Sequence, residues 1–192
     1  MGHREQLMAG AKQCLEERGY ARTTSRDIAA AAKAPLGTIN YHYGSKEALL
    51  NAALLETLRE WGDKVLARPE ESPESQTVAR PEALWARVIE SQVTDRPLLV
   101  ASTEALVQAE RSPEIRQQIA DAFEQSRTEM AADLHGIDGV KNVELARAVG
   151  SVHMALVAGL TQQWLIDPER APSAPEVAAG LRAIAQTLDA DS

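Results

Sequence analysis

Residues 24–46, TSRDIAAAAKAPLGTINYHYGSK, decide the fold of this chain. Thr24 is followed three positions later by Asp27, a capping-box pattern in which side-chain oxygens satisfy N–H groups that the first turn leaves unpaired. Pro35 then interrupts the helical pattern, because proline disfavours a helical conformation in the residue before it and fits best in a first turn. The stretch therefore predicts two short helices joined by a tight turn, with Ser45 as the N-cap of a third.

The second of these helices, about residues 36–42, is predicted to turn a polar face outward. With Ile39 directed inward, a step of about 100° per residue places Tyr43 inward as well and Tyr41 outward. The outward row supplies a hydroxyl, a methyl, an amide and a phenol, which are groups that contact base edges and phosphates in DNA. The same pattern also fits a polar surface helix in an ordinary helical domain, since helix pairs with short turns are common.

Residues 19–50, GYARTTSRDIAAAAKAPLGTINYHYGSKEALL, resemble the N-terminal region of the TetR family of bacterial transcriptional regulators. The family pattern is a Gly-aromatic pair, a Thr-rich helix start, a DIA-like helix, a Gly-Thr-aliphatic-x-x-His/Tyr-aromatic recognition helix, and Ser-Lys-Glu. The matching positions, in order and spacing, are Gly19, Tyr20, Thr24, Asp27, Ile28, Ala29, Gly37, Thr38, Ile39, Tyr41, Tyr43, Ser45, Lys46, Glu47 and Leu50. The turn departs from the family's Gly-Val-Ser-like sequence with Lys33-Ala34-Pro35, and Asn40 replaces a usual aromatic residue.

The resemblance implies an all-α chain with two domains. A three-helix helix-turn-helix DNA-binding domain is expected at residues 1–47, and a larger helical effector-binding and dimerisation domain at residues 48–192. The implied function is that of a homodimeric transcriptional repressor, released from a near-palindromic DNA operator by a small-molecule effector. In this family the last two long helices pair with their copies in a second subunit as a four-helix bundle, and we expect the same here.

The resemblance also implies which residues contact DNA. The expected contacts are Ser25, Arg26, Gly37, Thr38, Asn40, Tyr41, His42 and Lys46. We expect Thr38, Asn40 and Tyr41 to read or flank bases, and the basic and polar side chains on either side to hold phosphates. Gly37 lets a backbone come close to its partner.

Composition and charge limit the alternatives. The chain has 192 residues, 44% of them hydrophobic, which is enough for a sizeable core. Its net charge is −8, but the first fifty residues hold seven basic and five acidic side chains, whereas the rest holds thirteen and twenty-three. An acidic chain with a mildly basic first quarter is consistent with DNA binding by that quarter alone. The single cysteine, Cys14, excludes an internal disulfide and favours the cytoplasm.

Motifs for other chemistry are missing from the sequence. The histidines His3, His42, His135 and His153 are widely separated and have no metal-ligand spacing around them, so we expect no metal, no cofactor and no catalytic site. No apolar run approaches the roughly 18 residues of a membrane span, and no leader pattern opens the chain. We therefore expect neither a membrane helix nor an enzyme.

The remainder is predicted to be helical. Periodicity places helices at about residues 46–67, 81–94, 97–110, 113–134, 142–166 and 175–188, with a Pro-, Ser- and Glu-rich loop at residues 68–81. The expected inward side chains include Leu50, Leu54, Leu58, Trp61, Val65, Leu84, Val88, Ile89, Leu99, Leu106, Val107, Ile115, Ile119, Phe123, Met130, Val149, Val152, Leu156, Leu160 and Trp164. The helix from residue 46 extends beyond the expected three-helix DNA-binding domain, so a ligand that shifts the far end of this helix moves that domain.

A ligand pocket is expected among the central helices, since ligand sites are mostly apolar with a few placed polar groups. Thr103, Glu104 and His153 are the candidate ligand contacts, although core packing or solvation also explains each of them. Two other functions remain open. A helical small-molecule-binding protein without DNA binding would keep the second domain, and an enzyme would need titratable groups that converge in the pocket.

Overall fold

The computed structural model describes residues 2–66 and 80–190, and every regular element within these ranges is an α-helix. The helices are α1 (His3–Arg18), α2 (Ser25–Ala31), α3 (Gly37–Tyr43), α4 (Lys46–Leu66), α5 (Arg80–Thr94), α6 (Arg96–Ala109), α7 (Pro113–His135), α8 (Val143–Ile166) and α9 (Ala174–Ala190). The all-α prediction is therefore confirmed. The predicted loop at residues 68–81 lies outside the described residues, except for its last two positions, which begin α5.

In the head formed by α1, α2 and α3, the second helix begins with the predicted capping box. Thr24 Oγ1 accepts a hydrogen bond from the Asp27 N–H at 3.2 Å, and Asp27 Oδ2 accepts one from the Thr24 N–H at 2.9 Å. Gly10 lets α1 cross α2 closely, because a Cβ at this position would lie 2.7 Å from the Ala32 nitrogen. The buried Cys14 belongs to this core.

The core of the head continues into two helices, α4 and α6, of the remainder of the chain. α4 contributes the buried residues Leu49, Leu50, Ala53 and Leu54 to it, and α6 contributes Ala101 and Ala105. A three-helix head of about fifty residues buries too little apolar surface to be stable alone. These contacts complete its core across the domain boundary predicted at residues 47 and 48, and that boundary stays a prediction.

A second buried cluster joins the far end of α4 to α5, α8 and α9. Its buried members are Val65, Leu84, Trp85, Val88, Leu160 and Ala178. α7 starts at an N-cap, where Ser112 Oγ accepts the Ile115 N–H at 3.3 Å. α7 and α8 then meet at Gly150, where a Cβ would lie 2.0 Å from the Arg127 carbonyl oxygen. Only a glycine permits this close approach of the two backbones.

Four of the predicted inward side chains lie on the surface instead. Leu106 and Val107 of α6 are 46% and 57% exposed, Phe123 is 39% exposed and Val152 is 58% exposed. On α6 the reason is that its buried face consists of Leu99 and three alanines. Small side chains let α6 approach α1 and α4 closely, and periodicity weighted by large apolar residues selects the wrong face.

One helix among the described residues, α8, is long and apolar enough by length and composition to span a membrane. The sequence analysis predicts no such segment. α8 packs along α7 over its length and buries Ala146, Gly150 and Leu160. Its other side exposes Leu145, Val152 and Ile166. A single helix of this kind is weak evidence, so the finding alone does not indicate a membrane.

Candidate nucleic-acid interface and cavity

The inner side of α3 is anchored in the head. Ile39 is 1% exposed and belongs to the buried core. Tyr43 is half-buried, its hydroxyl donates to the Arg4 carbonyl at 3.0 Å, and the Arg4 guanidinium lies 5.8 Å from the centre of its ring. These contacts hold α3 against the start of α1. Both inward directions predicted from the sequence are confirmed.

The opposite side of α3 is exposed and polar. Tyr41 is 84% exposed, and its ring meets the ring of His42 edge-on, with 4.9 Å between the centroids. The Thr38 hydroxyl donates to the Pro35 carbonyl at 2.5 Å, which leaves its methyl group and oxygen lone pairs for other contacts. Gly37, Thr38 and Tyr41 thus lie on the outer side of α3, and Asn40 and His42 lie on its flanks.

The three remaining predicted DNA contacts lie on α2 and α4, in different environments. Arg26 is exposed in the first turn of α2, next to the half-buried Ser25. Lys46 is half-buried, its ammonium donates to the Thr23 carbonyl at 3.1 Å, and it lies 3.2 Å from the Glu47 carboxylate. The Lys46 ammonium therefore already interacts with acceptors of the protein, whereas the Arg26 side chain is exposed to solvent.

The turn between α2 and α3 has an unusual backbone. Lys33 has a φ of +50°, the left-handed conformation that glycine adopts freely and other residues adopt at a cost of about 1 kcal/mol or more. α3 starts without a side-chain cap, since Leu36 at its N-cap position has none to offer. The departure of Lys33-Ala34-Pro35 from the family's turn sequence is thus accompanied by local strain.

A helix of the larger part holds the turn between α1 and α2. Glu104 Oε2 on α6 accepts the N–H groups of Tyr20 at 2.8 Å and Ala21 at 3.0 Å. The Tyr20 hydroxyl in turn donates to Asn51 Oδ1 on α4 at 2.5 Å, in a buried position. Burial raises the pKa of Tyr20 to about 12. The backbone of the head is therefore hydrogen-bonded directly to a side chain of α6.

A small cavity lies between α4, α5, α7 and α8. It measures about 20 Å³, which is room for one water molecule. Its walls are aliphatic and aromatic with one histidine, and consist of Trp61, Gly62, Val65, Leu84, Trp85, Val88, Met130, Leu134, His153 and Val157.

The three predicted ligand contacts do not converge on this cavity. His153 lines it, but Thr103 lies on the exposed side of α6 in an open groove with Gln162 and Arg170. Glu104 instead accepts hydrogen bonds from the backbone of the head. Thr103 faces the groove, whereas Glu104 is directed at the turn between α1 and α2, so the two side chains do not share one cavity. The structure therefore does not bring the three candidates into one pocket, and their contact with a ligand stays a prediction.

A histidine pair next to the cavity was not predictable from the sequence. His135 on α7 and His153 on α8 bring their Nε2 atoms within 3.4 Å. Burial, and then the neighbouring His153, lower the pKa of His135. Residues 18 positions apart on different helices give no spacing signal. Among the described residues, no group of three or more His, Cys, Asp or Glu side chains could hold a metal ion.

Comparison with protein families identifies both halves of the chain. Residues 7–53 match the model for bacterial regulatory proteins of the tetR family. Residues 76–187 match the model for the tetracyclin repressor-like C-terminal domain. The chain belongs to the TetR family. The resemblance found at residues 19–50 is thereby confirmed and extends over most of the chain.

Individual relatives support this assignment. The HTH-type transcriptional regulator TtgR of Pseudomonas putida is 42% identical over 69 residues, which are 36% of this chain and 32% of TtgR. The match thus spans about a third of the length of that curated relative.

Solved structures share the TetR fold over nearly their whole length. The multidrug binding protein EbrR in complex with proflavin has a TM-score of 0.67 at 23% identity, covering 94% of this chain and 99% of its own. The TetR-family member SCO1917 of Streptomyces coelicolor A3 has a TM-score of 0.67 at 22% identity, covering 94% and 98%. At such identities these structures establish the fold alone.

Proposed function

We propose that this TetR-family chain is a cytoplasmic, homodimeric transcriptional repressor that a small-molecule effector releases from its DNA operator. The observation that supports this most strongly is the two-sided character of α3. Its inner side is anchored by Ile39 and Tyr43, whereas Tyr41 is 84% exposed on a polar outer face. A large aromatic side chain held in solvent on a fixed helix has no packing role, and it suits contact with a nucleic acid.

In this proposal α3 enters the major groove. Thr38, Asn40 and Tyr41 contact or flank base edges, while Ser25, Arg26, His42 and Lys46 contact phosphates, and Gly37 permits close approach of the backbone. A two-fold dimer presents two such helices to successive major grooves, about 34–36 Å apart, on a near-palindromic site. The two-fold symmetry of the protein would then match that of the operator.

The proposed dimer interface uses α8 and α9. On α8, Leu145, Val152 and Ile166 are exposed on one side, with small residues between them at helical spacing. On α9, Ile184 and Leu188 are 57% and 66% exposed. Exposed apolar surface on long helices is typical of protein–protein interfaces. Burial of these side chains against a second copy would give the four-helix bundle expected from the family.

The effector is proposed to act through α4 and α6. α4 carries Trp61 and Val65 in the cavity and Leu50 in the head core, so displacement of its far end moves both. Glu104 links α6 to the turn before α2 by a hydrogen bond from the Tyr20 N–H. In this proposal the effector binds a form of the dimer whose two heads are wrongly spaced for DNA more tightly than it binds the DNA-competent form. By linkage, effector and operator then weaken each other's binding by the same factor.

A titration of the upstream promoter fragment tests DNA binding. Tyr41→Ala is expected to weaken binding at least about tenfold, the effect of losing one good contact. Val140→Ala, at another highly exposed position far along the chain, serves as the control and should bind like the wild type. Circular dichroism melts of both variants should match the wild type. Equal affinity of Tyr41→Ala and wild type for the fragment would contradict the assignment of α3.

The second candidate function is a helical small-molecule-binding protein without DNA binding. It is favoured by the strained Lys33 turn and the uncapped start of α3, which differ from the family's turn. Such a protein would bind ligand at the cavity yet show no salt-sensitive affinity for any fragment of its upstream region.

A further inference from the structure

Two histidines that are far apart in the sequence present the same ring nitrogen to each other. His135 is the last residue of α7, and His153 lies on α8. Their Nε2 atoms are 3.4 Å apart, their ring centroids are 4.9 Å apart and their ring planes are inclined by 64°. At this nitrogen separation a head-on approach would place the centroids farther apart. The rings therefore do not meet as the partners of a straight N–H···N hydrogen bond would.

The tautomer of His153 leaves its Nε2 lone pair free for a ligand. His153 Nδ1 lies 3.1 Å from the Val149 carbonyl, which only accepts, so the neutral ring carries its proton on Nδ1. Histidines that bind metals are commonly held in this way, with the second ring nitrogen donating to a carbonyl. His135 is exposed, so solvent can hydrogen-bond its Nδ1 while its Nε2 faces His153. Burial, and then His153, lower the pKa of His135, which favours the neutral ring that a metal ion needs.

The distance between the two Nε2 atoms, 3.4 Å, fits a tetrahedral metal ion better than a hydrogen bond. An N–H donor normally lies about 2.7–3.2 Å from its acceptor. Two imidazole nitrogens, each about 2.0–2.1 Å from one tetrahedral Zn²⁺, are roughly 3.3–3.4 Å apart. Neighbouring nitrogens at the right angles of a square-planar or octahedral ion would be roughly 2.9 Å apart. Among the common divalent ions the separation therefore matches Zn²⁺.

We propose that His135 Nε2 and His153 Nε2 bind one Zn²⁺ ion, with solvent in its two remaining positions. Solvent has access because His135 is exposed and His153 is only half-buried. Within residues 2–66 and 80–190, no third His, Cys, Asp or Glu completes a metal-binding group, so the site binds more weakly than a structural zinc site with four protein ligands. The bound ion joins the end of α7 to α8. The site does not depend on the function proposed above.

Calorimetric titration of the full chain with Zn²⁺ tests the site. We expect one ion to bind per chain, and an excess of Mg²⁺ or Ca²⁺ should not compete, because these ions prefer oxygen ligands. His135→Asn and His153→Asn each remove one ligand and should weaken Zn²⁺ binding at least about tenfold. His3→Asn is the matched control, because it removes a histidine of α1 and should leave Zn²⁺ binding unchanged.

Two further measurements remain informative if a variant folds poorly. In the wild type, Zn²⁺ should shift the Nε2 resonances of His135 and His153 in nitrogen NMR spectra and leave those of His3 and His42 in place. Zn²⁺ at about a hundredfold excess over its dissociation constant should raise the melting temperature of the wild type by a few degrees, because it binds the folded form. It should not raise the melting temperature of His135→Asn or His153→Asn above that of the same variant without metal.

The inference is overturned if the wild type binds no Zn²⁺ at millimolar concentration, if either substitution in the pair leaves the affinity unchanged, or if His3→Asn abolishes binding. Displacement of Zn²⁺ by Mg²⁺ would equally contradict ligation by imidazole. These measurements use no DNA, so their failure is distinguishable from failure of the proposed function. Zinc binding by a chain that binds no operator would contradict the repressor function and leave the zinc site intact.

Discussion

The carboxylate of Glu104 and the backbone of Tyr20 are hydrogen-bonded across the predicted domain boundary. Glu104 Oε2 accepts the Tyr20 N–H at 2.8 Å and the Ala21 N–H at 3.0 Å. The turn at Gly19 has a φ of +79°, and a Cβ there would lie 3.2 Å from the same oxygen. The position of α6 therefore fixes the turn from which α2 and α3 start.

Glu104→Ala tests this connection. We expect it to lower the free energy of unfolding by about 1–3 kcal/mol, because two N–H groups lose their charged acceptor. Glu104→Gln keeps an acceptor oxygen and should recover much of the loss. Urea denaturation measures the stability, and operator titration with and without effector measures the coupling. If Glu104→Ala unfolds like the wild type, the bond has no role in joining α6 to the head.

Tyr20→Phe removes a buried hydroxyl. Tyr20 donates to Asn51 Oδ1 at 2.5 Å, and Asn51 Nδ2 already lacks a partner. The variant should lose about 1–3 kcal/mol, because the amide becomes wholly unsatisfied. For a chain of this length that corresponds to roughly 2–10 °C in melting temperature. Tyr43→Phe, whose hydroxyl bond to Arg4 is more exposed, should lose less, and a larger loss than for Tyr20→Phe would contradict the ranking.

Lys33→Gly should stabilise the head. The φ of +50° at Lys33 is unfavourable for a residue with a Cβ and free of strain for glycine. A gain of about 0.5–1 kcal/mol remains after the greater chain entropy of glycine in the unfolded state is subtracted. Lys33→Ala removes the charged side chain but keeps the Cβ, so it should bring no gain. Equal thermal stability of the two variants would exclude backbone strain as the cause.

Arg26 and Lys46 should respond differently to substitution by alanine. Arg26 is exposed, so Arg26→Ala should leave stability unchanged and lower the salt dependence of operator binding by about one phosphate contact per subunit. Lys46→Ala should weaken binding to all sequences and also lower stability, because it removes the bond to the Thr23 carbonyl. Operator affinity measured across salt concentrations, alongside thermal melts, tests both. An unchanged salt slope for Arg26→Ala would exclude its phosphate contact.

The histidine pair should make stability depend on pH. The pKa of His135 is lowered in the folded chain by burial and by His153, so the folded state binds this proton less readily than the unfolded state. Its contribution is then fully present above the unfolded pKa of about 6.5, and it is lost as the pH falls below that value. His135→Asn should reduce the drop in unfolding free energy between pH 7.5 and 5.5. The same pH dependence of unfolding free energy in the wild type and in His135→Asn would show that His135 is not its source.

The local structure of the head was predictable because it depends on neighbours in sequence. The bonds between Thr24 and Asp27, the N-cap at Ser45 and the inward directions of Ile39 and Tyr43 all follow from helix geometry over four residues or fewer. Side chains buried against distant helices were harder to predict. Leu106 and Val107 are apolar yet exposed, because the small residues of α6 pack closest to α1 and α4.

The sequence by itself determined that the chain is helical, that it begins with a capped helix-turn-helix head, and that one polar face of α3 points outward. Tertiary structure alone decided which residues meet across the chain. Glu104 accepts hydrogen bonds from the turn at Tyr20, His135 approaches His153, and Trp61 lines the cavity. The physical reason is that helix periodicity specifies the direction of a side chain about its own axis. The helix that it meets depends on how the axes pack.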